Sequence, residues 1–453
     1  MFEDTSNISK FFIILYTSMT KIDYNALSLE MHKKYKWKLT TKSKVPLETQ
    51  ADLATYYSPW VAAPCLAIHK DPSLAPTYTR TNNTIAVISD WTAVLWLWNI
   101  GWLASLPVME WKAILFKHFG NVDAIPIVLD TQDPDEIIRT ICNIAPSFGW
   151  INLEDIKAPE CFYIEEQLQQ KLSIPVFHDD QHGTAIVTLA WLINASKLVK
   201  KEITWLKIIV QWAWAAAIAV VKLLEAYGVE HVIMFDSTWA IYPGRERMNP
   251  YKESIAHLNK DTFTWSLHEG LVGADVFIGL SWQENSIDAH VVSTMAHKPI
   301  VFATSNPSPE ITPDEAKKWW AYIVATWRSD YPNQINNVLA FPWIFRWIFD
   351  GKIPQIETEH KLAAAEAIAA YVMQPTPEEI IPNALDMHVA NIVAEAVKSV
   401  SLDFDESEEV NPNPKIYTKK DDSDDVEEIS DPEDLAYIDA MLLDDTLNDS
   451  QAA

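Results

Sequence analysis

Apolar residues recur along this chain in two rhythms that predict two layered domains. Between 84 and 129, short β-type runs (85–88 and 124–129) alternate with helical stretches such as 111–118, as expected for a parallel α/β layer. A helix over 183–199 opens a second series. Its strands fall at 207–210, 231–235, 276–279, 300–303 and 322–325, with helices or loops between them, the order of a doubly wound nucleotide-binding sheet. Upstream, 24–35 predicts a helix with Tyr24, Leu27 and Met31 on a partly apolar face. Downstream, 359–373 places Leu362, Ala365, Ala369 and Val372 at helical spacing and is expected to pack back on the body. The expected α/β division is an N-terminal extension at 1–20, a mixed α/β domain at 21–182, a doubly wound domain with C-terminal helices at 183–400, and a tail at 401–453.

The tail changes the charge picture. From Asp403 onward 18 acidic residues face three lysines, so this segment carries −15 of a formal net charge of −27. Acidic and punctuated by proline, it has too little apolar surface to fold alone and is expected to be disordered, with 435–443 as a candidate docking helix. Nucleic acid and anionic membrane are disfavoured as partners, because both are bound through basic patches. A small charged metabolite fits better. Cys65, Cys142 and Cys161 are odd in number and widely spaced, which gives neither a disulfide framework nor a zinc pattern. A reducing, cytoplasmic setting is expected. The apolar run 11–16 is too short to span a bilayer and follows Glu3 and Asp4 rather than a basic segment, so no export signal is read there, and Met19 is a candidate start.

One ratio stands out: 20 Trp against 10 Gly. An average chain holds about 7% Gly, and the two counts together restore roughly that share. Position repeats the message. Trp212 and Trp214 follow the apolar run 206–210 and open an Ala-rich helical stretch, where a strand-turn-helix that binds dinucleotide needs residues without side chains. With Gly in their place, 211–217 reads Gln-Gly-Ala-Gly-Ala-Ala-Ala, a near match to the Rossmann fingerprint with Ala217 at the packing position. About 20 residues on, Asp236 ends the next strand, where an acidic side chain accepts from the adenosine ribose hydroxyls and favours NAD over NADP. Trp96, Trp98 and Gly101 form a second glycine-type motif on the same reading, and Trp319-Trp320 falls in a further turn-like context. The expectation is a decoding effect: UGA, read as Gly in some bacterial lineages, translated as Trp.

Six further stretches carry a resemblance to the malic enzyme family, running from about Leu27 to Val372. They are Tyr57-Ser-Pro-Trp-Val-Ala-Ala-Pro-Cys65, Val87 to Gly101, Leu106-Pro-Val-Met-Glu-Trp-Lys112, Ile151 to Glu160, Phe177-His-Asp-Asp-Gln-His-Gly-Thr184 and Thr326 to Asn337. The resemblance implies an N-terminal malic-enzyme domain beside a Rossmann NAD-binding domain. It implies oxidative decarboxylation of malate to pyruvate with NAD or NADP, a divalent metal, and a homodimer or higher homo-oligomer.

Residue roles follow the same resemblance. Glu154, Asp155 and Asp180 match the metal ligands, and an all-oxygen set suits Mg2+ or Mn2+. His178 and His182 flank the acidic pair, but no cysteine or third histidine completes a zinc set. Lys112 resembles the base that takes the malate C2 hydroxyl proton, a role that needs a lowered pKa, and Asp179 its partner. Tyr57 resembles the acid that protonates C3. Asn306, Asn336 and Asn337 resemble amides that hold the nicotinamide or the substrate carboxylate, and the 96–101 loop has a substrate-side role. A malolactic enzyme, returning the hydride to give lactate, shares these parts. If the tryptophans are genuine, a non-catalytic relic is the rival from another class.

Overall fold

The computed structural model describes residues 23–405 apart from 36–37, 282, 352, 354, 384 and 387. The 1–20 extension and the 435–443 segment lie outside the described residues. Two parallel sheets carry the fold. In the first, β1 (Thr84–Ser89), β2 (Asp123–Val128), β3 (Trp150–Leu153) and β4 (Val176–His178) lie in the order β2-β1-β3-β4. In the second, β5 (Lys207–Gln211), β6 (His231–Phe235), β7 (Val276–Gly279), β8 (Ile300–Ala303) and β9 (Ile323–Ala325) lie in the order β6-β5-β7-β8-β9. Every residue of β1 is buried, as a central parallel strand covered on both faces requires. The order reverses beside the first strand of each sheet, and a crevice for ligand opens at the carboxyl ends of such strands.

The principal helices are α1 (Tyr24–Tyr35), α2 (Gln50–Tyr56), α3 (Ala62–Lys70), α4 (Trp102–Gly120), α5 (Pro134–Ile144), α6 (Glu160–Lys171), α7 (Asp179–Val199), α8 (Ala215–Ala226), α9 (Phe341–Gly351), α10 (Thr358–Tyr371) and α11 (His388–Asp405). Strands β6, β7 and β8 fall at their expected bounds. Helix α4 starts nine residues before the expected 111, running through Pro107. Helix α7 starts at Asp179 rather than at 183, because two aspartates in a first turn complement the helix dipole. The expected division at 182–183 therefore falls inside one continuous helix.

That helix is buried along most of its length and packs against α8 and α10. Asn194 on α7 donates to Ala369 O (2.8 Å) and Ile380 O (3.0 Å), which ties α10 to the body. The expected packing of this C-terminal segment is observed, and α11 extends to Asp405, past the expected start of the tail. Helix α1 forms at its expected bounds, and none of its residues is buried: Tyr24 and Met31 are exposed. Among the described residues no helix is long and apolar enough to cross a membrane.

Candidate active site

Four carboxylates converge where the strands of the first sheet end. Glu154 and Asp155 follow β3, and Asp179 and Asp180 form the first turn of α7, directly after β4. Lys112 enters from α4, almost wholly buried. Its Nζ lies 2.6 Å from Asp179 Oδ2 and 2.8 Å from Glu154 Oε1, and 4.3 Å from the centre of the Phe341 ring. Asn337 Nδ2 donates to the same Asp179 oxygen. Gly183, one helical turn beyond Asp179, makes this arrangement possible: a Cβ there would run into the Asp179 carboxylate. Asn152 Nδ2 donates to Glu154 Oε2 (2.9 Å), and the Asp155 N–H donates to Asp180 Oδ2 (2.8 Å).

One ammonium among four acids leaves the cluster short of positive charge. Burial, with mutual repulsion behind it, pushes the acids up: Glu154 and Asp179 to about 7, Asp180 to about 6, and Asp155 well above the carboxylate range. Burial works against the Lys112 ammonium too, but Asp179, Glu154 and Asp180 outweigh it and hold the lysine above its ordinary value. The lowered lysine expected from the sequence depends on a neighbouring cation, which these acids alone do not supply. One ligand oxygen from each of Glu154, Asp155 and Asp180 lies within 4.8 Å of the others, and Asp155 Oδ2 is buried with no hydrogen-bond partner. Such a nest of oxygens fits a hard divalent cation. His178 and His182 do not join it. Burial holds both rings below their ordinary pKa, and His182 pairs with Glu165 at 2.9 Å.

A cavity of 500 Å³ opens from this cluster toward the second sheet. Lys112, Glu154, Asp155, Asp180, Asn306, Asn336 and Asn337 line it, joined by Trp98 and Trp214. The Trp98 and Trp214 rings lie 5.3 Å apart, and Trp212 stacks 6.2 Å from Trp214. Trp212 follows β5 with φ +83°, and its N–H donates to Phe235 O (2.8 Å). The Trp214 indole nitrogen is buried without a partner. Ala217, buried in the first turn of α8, packs in the core as the sequence pattern requires.

Asp179, Trp212 and Ala217 stand behind the residues that line this cavity, and Asp236 and Tyr57 do not line it either. Asp236 ends β6, where its carboxylate accepts from Arg245 (2.9 and 2.5 Å), Lys252 (2.7 Å) and the N–H groups of Thr238 and Trp239. Those hydrogen bonds overcome its partial burial and hold it well below the usual carboxylate range. Tyr57, in the turn between α2 and α3, is 68% exposed and does not line the cavity.

Sequence reasoning missed Glu310. Fully buried, it accepts from the Ser281 N–H (2.8 Å) and hydroxyl (2.9 Å) and from the Ser305 N–H (2.9 Å), joining two loops of the cavity wall. Gly279 gives it room, since a Cβ there would stand 2.5 Å from its carboxyl carbon. Glu310 lies outside every local motif, so only the fold exposes its part.

Comparison with known proteins bears on this arrangement. Residues 36–169 match the malic enzyme N-terminal domain and residues 181–401 the malic enzyme NAD-binding domain. The chain is 49% identical over 380 residues to a bifunctional malic/malolactic enzyme of Bacillus subtilis, covering 83% of this chain and 92% of that protein. It is 48% identical over 406 residues to a probable NADP-dependent malic enzyme of Rickettsia prowazekii, covering 85% of this chain and 52% of that longer protein. The crystal structure of an NAD-dependent malic enzyme from Thermotoga maritima superposes with a TM-score of 0.80 at 42% identity, covering 83% of this chain and 99% of that one. With both halves of its length matched and its carboxylates gathered at the ends of a parallel sheet, this chain belongs to the malic enzyme family.

Proposed function

We propose that the chain oxidises malate at C2 and decarboxylates it to pyruvate and CO2, passing the hydride to NAD, with Mg2+ or Mn2+ on Glu154, Asp155 and Asp180. The observation that carries this reading is a buried lysine, Lys112, 2.6 Å from Asp179, beside a three-carboxylate nest on the wall of a 500 Å³ cavity. Bound there, a divalent cation supplies Lewis-acid stabilisation of the charge that develops on the substrate oxygen, and the nicotinamide supplies a hydride acceptor. Lys112 Nζ takes the proton of the C2 hydroxyl. With the charges of Glu154, Asp155 and Asp180 engaged, Lys112 keeps only Asp179 as support, so its ammonium loses proton affinity while Asp179 still orients it. Asn306, Asn336 and Asn337 hold substrate carboxylate and carboxamide groups, and Tyr57 returns a proton to C3. The bend at Trp212 and Trp214, ahead of Ala217, is the phosphate side of the nucleotide site, and Asp236 is its ribose side. The three cysteines are unpaired, in keeping with a cytoplasmic setting.

In the Trp212→Gly/Trp214→Gly background, Lys112→Ala is expected to lower kcat by about 10²–10⁴, the range of a general base, with little change in KM for malate; an unchanged kcat rejects the assignment. Nucleotide titration of the chain as it stands, beside Trp212→Gly/Trp214→Gly, tests the phosphate bend. Tighter binding by the double variant is expected. Equally tight binding by both rejects this account of the bend, and no binding by either favours a non-catalytic protein. A malolactic outcome is a second reading, favoured by the name of the Bacillus subtilis relative. Free NADH accumulating from malate separates the two. NADP in place of NAD is favoured by Arg245 and Lys252, two cations beside Asp236, and the ratio of kcat/KM for the two cofactors decides.

A further inference from the structure

Glu310 belongs neither to the carboxylate cluster nor to an ion pair. It is wholly buried, and the groups that meet its carboxylate are neutral donors: the Ser281 N–H and hydroxyl on Oε1 (2.8 and 2.9 Å) and the Ser305 N–H on Oε2 (2.9 Å). Among the described residues no Lys, Arg or His pairs with it. A protonated carboxyl has a hydrogen bond to give, and this nest offers donors only, so its geometry suits the charged form. The surrounding protein does not. Burial pushes the carboxyl up to about 7, so at alkaline pH the charge is held at a cost to the fold. Gly279 is free of the Cβ that would collide with it. Tying two loops together does not require a charge, so the anion itself calls for a use.

What the charge stands behind supplies one. Ser281, Thr304 and Asn306 line the 500 Å³ cavity, and Glu310 lies one layer back, between the loops that follow β7 and β8. The acids at the other end of the cavity have Lys112 among them and the seat proposed for a divalent cation, whereas Glu310 has neither. We propose that Glu310 is a fixed negative charge by which the site prefers the oxidised nicotinamide ring to the reduced one. The inference rests on the role given to Asn306 above, an amide of this wall that holds the carboxamide. The oxidised ring carries one positive charge and the reduced ring none. An anion behind the wall therefore lowers the energy of the first and leaves the second nearly unchanged. Glu310 acts through its field across Ser281 and Asn306, not by contact, and its attraction ends when hydride neutralises the ring.

Binding of the two cofactor forms tests it without turnover. Dissociation constants of NAD+ and NADH are measured by calorimetry on the Trp212→Gly/Trp214→Gly chain, with Mg2+ saturating and malate absent. The titrations are made at about pH 8, above the raised carboxyl value of about 7. Adding Glu310→Gln, which is close in shape and removes only the charge, is expected to weaken NAD+ on the order of tenfold and NADH by less than about twofold. The ratio of the two constants therefore moves roughly tenfold. Equal weakening of both forms means that Glu310 only braces the wall, and overturns the proposal, as does an unchanged pair of constants. Glu310→Asp keeps the charge and is expected to keep the parental ratio even where both forms bind more weakly. A ratio that shifts in the Asp variant as far as in the Gln variant overturns the proposal as well. Binding of neither form by the Trp212→Gly/Trp214→Gly chain itself rejects the nucleotide reading, and the proposal with it.

Discussion

Trp91, Trp98, Trp212 and Trp320 have φ of +56°, +57°, +83° and +74°, a region where Cβ crowds the following carbonyl at a cost of about 1–2 kcal/mol per residue. Trp98 combines this with ψ −127°, outside the left-handed well altogether. The turn contexts mark Trp98, Trp212 and Trp320 in the sequence itself, because a bend and a bulky side chain conflict. Trp150 and Trp191 show the limit of that reasoning: both are buried deep in the core, and nothing in composition separates them from the strained set. Trp212→Gly is expected to stabilise the fold by about 1–2 kcal/mol, measured as a higher midpoint of thermal unfolding, and a lower midpoint rejects the strain. UGG codons at these positions in the coding DNA reject the decoding explanation. The pairing of Lys112 with Asp179 was not legible in local pattern, since the two are 67 positions apart and only the family likeness joined them.

The elements were more legible than the residues. Buried parallel strands read as unbroken apolar runs, which is why β6, β7 and β8 fall where expected. Helix ends are less legible than strands: α4 runs through Pro107 and α7 begins on two aspartates, both ahead of the apolar-periodic stretch that predicts them. The beginning of α7 is held by Glu165 of α6, which accepts from the His178 N–H (2.9 Å), Gln181 Nε2 (3.1 Å) and His182 Nε2 (2.9 Å). These residues bracket Asp179 and Asp180, so Glu165 fixes the turn that presents both carboxylates. Glu165→Gln removes the charge and part of this acceptor set. Partners behind metal ligands are worth about 10–100-fold in affinity, and a loss near the lower end is expected in calorimetric titration with Mn2+. Unchanged affinity rejects the role.

At the scale of the whole molecule, Glu310 links stability to pH. Burial pushes its carboxyl up to about 7 from 4.5, against the hydrogen bonds it accepts from Ser305 and Ser281. A raised carboxyl favours the fold most when protonated. Its contribution is therefore complete below about pH 4.5 and disappears as pH rises through about 7. Denaturant titrations of Glu310→Gln are expected to lack that component, up to about 3 kcal/mol, and parallel pH profiles for the variant and the parent reject it. The remaining consequence concerns α7. Its first turn carries two of the four acids, while the rest of the same rod is embedded among α8 and α10 of the nucleotide half. Under the proposed function this one helix borders both ligand sites, so coupling between the dinucleotide bend and the carboxylates is expected, and by reciprocity it runs both ways. Calorimetric titrations are then expected to show Mn2+ and NAD each altering the dissociation constant of the other by one common factor, and constants that do not depend on each other reject the coupling.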